Sequence, residues 1–187
     1  CLLTEVWQVK ENKKHQKAVE NMLEMNGVKY VSTPRPSARR GGGTAIACRE
    51  ENYHMTKLNI HIPKPLEACF ALLKPKRPTG KVSNFICGSF YAPPKSRHNN
   101  KLAVFLATTI NQLRMEHPGS QVILGADIND MKLNTLLNLD PSLKQIVRGF
   151  TNKKKDKTLD VILTDCHHMM QEPTILPPLQ VDNGKVG

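Results

Sequence analysis

Residues 121–124, Gln-Val-Ile-Leu, form a short run in which the apolar residues are consecutive rather than alternating. A strand of that kind is buried on both faces, so the sheet holding it needs material on either side. The chain offers such material. From Asn99 to Glu116, the residues Leu102, Val104, Phe105, Leu106, Ile110, Leu113 and Met115 fall largely on one side of a helix, which His117-Pro118-Gly119 stops. Further strands are expected over Val28–Thr33, Thr44–Arg49, Tyr53–Ile60, Leu66–Leu73, Lys81–Tyr91 and Leu159–Thr164, with Pro and Gly between them. A first helix is expected over Glu11–Asn26, with Ala18, Val19, Met22, Leu23 and Met25 as its apolar stripe, and a short one over Met131–Asn138. Pro173–Pro178 reads as irregular. Strands dominate, with two or three helices between them, which points to stacked sheets flanked by helices. Regular strand–helix alternation, the mark of a doubly wound nucleotide-binding fold, is missing.

No repeat, low-complexity tract or linker divides the 187 residues, so one domain is expected over 1–187. Hydrophobic residues at 39% and charged residues at 23% are a globular composition. Twenty-seven Lys and Arg against sixteen Asp and Glu leave +11, which favours a polyanionic partner, nucleic acid before an acidic membrane surface. No apolar run reaches the roughly 18 residues of a membrane span. The opening Cys-Leu-Leu-Thr-Glu reads as neither a signal peptide nor a natural start. Five scattered cysteines without a C-x-x-C pair read as reduced, packed thiols of an intracellular protein, not as a disulfide framework or a zinc site.

Chemistry concentrates at strand ends. The run Val122-Ile123-Leu124-Gly125-Ala126 ends in Asp127-Ile128-Asn129. Residues two apart on an extended chain point the same way, so Asp127 and Asn129 should converge at the carboxyl end of the strand. A carboxylate beside a neutral amide can orient a water and hydrogen-bond a phosphoryl oxygen without adding a second negative charge. The structural alternative is Asp127 capping the helix near Met131, with Asn129 in the turn. Asp160 stands in Leu159-Asp160-Val161-Ile162-Leu163, where a partly buried carboxylate needs donors or a cation. It could orient a histidine or pair with a nearby lysine. Glu5, at the end of Leu3-Thr4-Glu5-Val6, suits a magnesium ligand, because Mg²⁺ takes few protein carboxylates; the alternative is a solvated Glu beside Trp7. Tyr91, before Ala92-Pro93-Pro94, could donate to a phosphate or simply fill a sheet corner.

Arg39 and Arg40 precede Gly41-Gly42-Gly43, a turn needing positive φ; with no G-x-x-x-x-G-K-[ST], it is not a phosphate loop. These arginines, with Lys153, Lys154 and Lys155 just before the Asp160 strand, are the candidate contacts to a nucleic-acid backbone. Cys166-His167-His168 is a poor chelator, since adjacent histidines on an extended segment face opposite sides.

In this order the segments resemble the endonuclease/exonuclease/phosphatase superfamily, the apurinic-endonuclease and deoxyribonuclease-I-like group. The matching landmarks are Leu-Thr-Glu5-Val-Trp, Arg-Arg-Gly-Gly-Gly-Thr-Ala-Ile, Tyr91-Ala-Pro-Pro, Gly-Ala-Asp127-Ile-Asn129 and Leu-Asp160-Val-Ile-Leu. The glycine and Tyr-x-Pro-Pro versions are most similar to the endonuclease domain of non-LTR (LINE-like) retrotransposons. The resemblance implies an α/β four-layer sandwich of two mixed β-sheets flanked by helices, and Mg²⁺-dependent (or Mn²⁺-dependent) hydrolysis of a phosphodiester. It makes Glu5 the metal ligand and Tyr91 a phosphate-side donor. Asp127 orients or deprotonates the attacking water, Asn129 holds phosphate and water, and Asp160 orients a catalytic histidine. The family's Gly-Asp-x-Asn carries an inserted-looking Ala126 here.

Two departures accompany it. The family opens with an Asn-bearing strand and closes with Ser-Asp-His, and neither is in these 187 residues, so the chain is read as a truncated domain that binds DNA and nicks it negligibly. The implied partners are DNA and a reverse transcriptase domain of the same polypeptide, in the nucleus and away from membranes. The competing readings are a non-catalytic DNA-binding remnant and a phosphatase of the same fold.

Overall fold

The computed structural model describes residues 1–6, 13–35, 42–78, 84–152 and 156–176. The elements run β1 (Leu2–Thr4), α1 (Lys13–Met25), β2 (Val28–Thr33), β3 (Thr44–Arg49), β4 (Tyr53–Lys57), β5 (Glu67–Pro75), β6 (Phe85–Tyr91), α2 (Asn99–Glu116), β7 (Gln121–Asp127), α3 (Leu133–Leu139), β8 (Lys144–Gln145) and β9 (Asp160–Thr164), followed by a 3₁₀ turn at His167–Met169. Three strands pair antiparallel in the order β1-β3-β2. Six form a mixed sheet in the order β4-β5-β6-β7-β9-β8, in which β6 and β7 are parallel and the other pairs antiparallel.

The parallel pair is joined by α2, as a parallel connection requires. The helix buries Leu102, Ala103, Leu106, Ala107, Ile110 and Leu113 against one face of the six-stranded sheet, where they meet Phe70, Phe90, Val122, Leu124 and Leu163. The other face carries Cys69, Ala71, Leu73 and Cys87 against Ile46 and Cys48 of β3. The strand expected to be covered on both sides is β7, and it is: Val122, Leu124 and Ala126 face the helical layer, while Ile123 and Gly125 face the small sheet. At Gly125 the two sheets touch so closely that a Cβ would stand 2.6 Å from Leu2 Cβ.

Several expectations are revised. β7 runs on to Asp127, because Gly125 and Ala126 stay in register with Ile162 and Val161. β4 ends at Lys57; Leu58 still donates its N–H to Phe70 O at 3.0 Å, and with Ile60 and Ile62 it packs on the helix-side core. The α1 stripe is largely exposed: Ala18 is open to solvent, Met22 and Met25 are 57% and 88% exposed, and only Val19 and Leu23 are half-buried. The helix abuts β2, an edge strand, so little sheet lies beneath it. The two-residue strand β8 has no sequence pattern long enough to announce it. The start of the strand expected from Lys81 lies outside the described residues.

All five cysteines are free, with Cys48, Cys69, Cys87 and Cys166 buried. Burial raises the thiols of Cys48 and Cys69 and pushes Cys87 up to about 12, so these are packing groups rather than nucleophiles. Among the described residues no helix is long and apolar enough to cross a membrane.

Candidate active site

The strand register of the six-stranded sheet sets four polar side chains in one row. Glu67 pairs with Tyr91, Tyr91 with Asp127, and Asp127 with Asp160. Residues opposite one another in a ladder share a face, and this face looks toward the small sheet. Glu67 bonds Gly43 N there, Ser89 Oγ donates to Leu3 O at 2.7 Å, and Gly125 lies against Leu2. The same contacts hold β1 across β6 and β7, so the residue after β1, Glu5, is delivered to the end of the row. Glu5 has φ of +52°, an uncommon left-handed conformation for a residue with a Cβ, where the chain turns off the strand.

Tyr91 is buried, with the Glu5 carboxylate close to its phenol. Burial first, then the neighbouring Glu5 carboxylate and the Asp127 charge, raise the phenol above its ordinary range, with Arg35 opposing. The hydroxyl is therefore a proton-bearing donor at neutral pH. Asp127 is pushed up to about 6, first by burial and then by the nearby Asp160 and Glu5 charges, while hydrogen bonds from Asn129 hold it down.

Asn129 stands at φ +42°, which Asn tolerates better than most residues, and its backbone N–H donates to Asp127 Oδ1 at 3.1 Å. Its Nδ2 donates to Ala92 O at 3.1 Å, and Ala92 N donates back to Asp127 O at 3.0 Å. The turns after β6 and β7 are thus tied together, fixing Tyr91 relative to Asp127. Asp127 closes this turn and does not cap α3, which begins at Leu133 with no side-chain cap.

Asp160 is exposed rather than partly buried, because it stands at the first position of β9. Its backbone N–H and that of Leu159 both donate to Thr151 Oγ1, at 3.0 and 2.9 Å. Among the described residues neither an imidazole nor a lysine bonds its carboxylate. A cleft of about 550 Å³, lined by Thr4, Gly125, Ala126, Thr151 and Asp160 among others, opens beside the row. Arg39, Arg40, Lys153, Lys154 and Lys155 lie outside the described residues. An isolated antiparallel bridge joins Asn152 to Lys157, three residues before Asp160.

The structure thus brings Glu5, Tyr91, Asp127, Asn129 and Asp160 to one end of the sandwich. Their oxygens are hard donors, suited to Mg²⁺ or Mn²⁺, and the mutual repulsion felt by Asp127 is relieved by a cation. No three His, Cys, Asp or Glu side chains cluster as a complete cage among the described residues. Mg²⁺ requires no such cage, since it retains waters and binds through one or two carboxylates. His167 and His168 sit in the exposed 3₁₀ turn, apart from this row.

Two residues escaped the sequence reading. Arg35 donates from Nε to Glu67 Oε1 at 2.8 Å and places its guanidinium 5.7 Å from the Tyr91 ring centroid. Glu67 carried a usable signal, an acid inside the apolar run 66–73, the same anomaly that marked Asp160. Arg35, between two prolines, had none.

The arrangement of sheets and helices matches solved structures across most of its length. The human Nocturnin catalytic domain with bound sulfate anion superposes with a TM-score of 0.63 at 12% identity, covering 89% of this chain and 68% of that one. An endonuclease/exonuclease/phosphatase family protein from Bacteroides thetaiotaomicron matches with a TM-score of 0.56 at 10% identity, covering 88% and 81%. The chain has the endonuclease/exonuclease/phosphatase fold. ANGEL2, a 2',3'-cyclic phosphatase solved with adenosine-2',3'-vanadate, shares it at a TM-score of 0.54 and 18% identity, covering 78% of this chain. The chain spans 44% of ANGEL2. No protein-family profile and no curated protein sequence matches the chain.

Proposed function

We propose that this chain carries the site of a divalent-metal-dependent phosphodiester hydrolase of the retrotransposon-endonuclease type, with duplex DNA as substrate. The observation that supports the reading most is the row Tyr91–Asp127–Asp160 on adjacent strands, with Glu5 brought near Tyr91 from the facing sheet. In-line attack on a phosphodiester needs a positioned water, a proton acceptor and donors for the phosphoryl oxygens. Asp127 is the acceptor: it is held by Asn129, and its raised pKa brings it closer to the range in which a carboxylate takes a proton from water. Asn129 and the Tyr91 hydroxyl are the neutral groups that orient phosphate. Glu5 is the residue that would hold a metal ion, which when bound supplies polarisation of a phosphoryl oxygen. Asp160, exposed at the strand end, is the residue that would orient an imidazole. The surplus of eleven positive charges supports a polyanion over a small neutral substrate.

A second reading, a phosphatase acting on a small phosphate ester, is supported by the likeness to ANGEL2, described as a cyclic phosphatase. The two separate in one assay. Supercoiled plasmid and a small monoester such as p-nitrophenyl phosphate are offered with Mg²⁺ to the chain extended by a Ser-Asp-His segment. Nicking without monoester turnover supports the endonuclease, and the reverse supports the phosphatase.

A further inference from the structure

We propose that Arg35 is a positioning residue for Tyr91, held in place by Glu67 and the Gly42-Gly43 turn; this rests on the reading of Tyr91 as the phosphate-side donor. Glu67 is 5% exposed, and both its oxygens are engaged, Oε1 by Arg35 Nε at 2.8 Å and Oε2 by Gly43 N at 2.7 Å. The Arg35 side chain is itself only 14% exposed. The turn that supplies Gly43 N is built around this pair. Gly42 and Gly43 have φ of +75° and +81°, and a Cβ on Gly42 would occupy the space of Arg35 Nε and Glu67 Oε2. The glycines here therefore do more than reverse the chain: they form a cradle closed on a buried ion pair.

That pair stands beside the candidate site. Glu67 is the direct neighbour of Tyr91 in the β5–β6 ladder, and the guanidinium carbon lies 5.7 Å from the Tyr91 ring centroid. A buried ion pair is poor evidence of stability, because two apolar side chains of the same volume serve as well. Its distinct effect is orientation. The carboxylate fixes the guanidinium through Nε, and a cation so fixed over an aromatic face restrains the ring. The ring carries the hydroxyl beside Asp127 in the strand register, so Arg35 acts on the site through Tyr91.

The test uses the full chain labelled with ¹³Cζ-tyrosine. The chain has three tyrosines, Tyr30, Tyr53 and Tyr91, so Tyr91→Phe assigns the resonance of interest. Arg35→Met and the charge-neutral double variant Arg35→Met with Glu67→Gln are compared with the unaltered chain, the double variant removing the unpaired buried acid that could unfold the single one. Affinity for a 12-base-pair DNA duplex is measured for each, with and without Tyr91→Phe. The expected result is a displaced Tyr91 resonance with Tyr30 and Tyr53 unmoved. Affinity should fall about fivefold in the unaltered background and less than about twofold in the Tyr91→Phe background, the non-additivity of residues acting as a unit. An unmoved Tyr91 resonance in a folded double variant, or equal losses in both backgrounds, would overturn the assignment. A displaced resonance together with a Tyr91→Phe that binds duplex normally would uphold the hold of Arg35 on the ring and instead count against Tyr91 as a phosphate donor.

Discussion

Asp127 and Asp160 stand directly opposite each other at the ends of β7 and β9, two acids on adjacent strands with Glu5 close by. Like charges opposite one another in a ladder are destabilising. The arrangement is unfavourable in itself, and that tension marks the place where a cation or a proton is wanted.

The first consequence is a pH dependence of stability. Asp127 titrates near 6 in the folded chain against an ordinary value of 3.8. Between those values the folded chain holds a proton that the unfolded chain has released, so stability falls as pH rises through the window. Asp127→Asn removes the charge and keeps the shape. It should raise the Tm of the metal-free protein at pH 7 by about 2–4 °C, corresponding to about 1 kcal/mol once solvent screening of this half-exposed group is allowed for. The gain should shrink to a small fraction of this at pH 4, near the ordinary value of 3.8. A gain independent of pH would mean the carboxylate is not strained.

The second concerns how Glu5 is delivered. Gly125→Ala would drive a methyl into Leu2, where the ideal Cβ lies 2.6 Å from Leu2 Cβ. Overpacking of this kind costs about 1–3 kcal/mol, and here it should also lift β1 from the sheet. Calorimetric titration with Mg²⁺ should show a weak site that Glu5→Gln weakens and that Gly125→Ala weakens as well. Unchanged binding in Glu5→Gln would remove Glu5 from the site.

Much of the architecture was legible because Pro and Gly cut the chain cleanly. β2, β3 and α2 begin and end where the patterns place them. Asp127 and Asn129 do meet, but through a left-handed turn at Asn129 beyond the strand end and not through the extended alternation that the spacing suggested. What the sequence hid was lateral. Nothing in the segment around Tyr91 reveals that Glu67 lies beside it on one strand and Asp127 on the other, because register is set by the packing of whole strands. The Arg35–Glu67 pair joins residues 32 apart, and the partner of a charged side chain has no signature in one sequence. The exposed stripe of α1 failed for a related reason: periodicity reports an apolar face without saying how much surface covers it.

DNA binding is the third expectation. Each lysine that neutralises a phosphate adds about 0.9 to the slope of log affinity against log salt. Replacing Lys153, Lys154 and Lys155 by serine should therefore lower the slope measured by fluorescence anisotropy on a duplex, with little change in sequence preference. A slope near zero in the unaltered chain would mean that its positive charge serves solubility.

Whether Glu5, Tyr91, Asp127, Asn129 and Asp160 act as one phosphodiester-cleaving site is read in a single assay. The most direct measurement is the nicking of supercoiled plasmid in Mg²⁺ by the chain carrying a C-terminal Ser-Asp-His extension and an N-terminal Asn-bearing strand. Loss of one member of such a coupled unit costs several orders of magnitude in rate, by analogy with other catalytic constellations. Nicking by the extended chain is expected, with its abolition by Asp127→Ala and negligible nicking by residues 1–187 alone. Nicking that survives Asp127→Ala in nuclease-free preparations, or an inert extended chain, would contradict the single site.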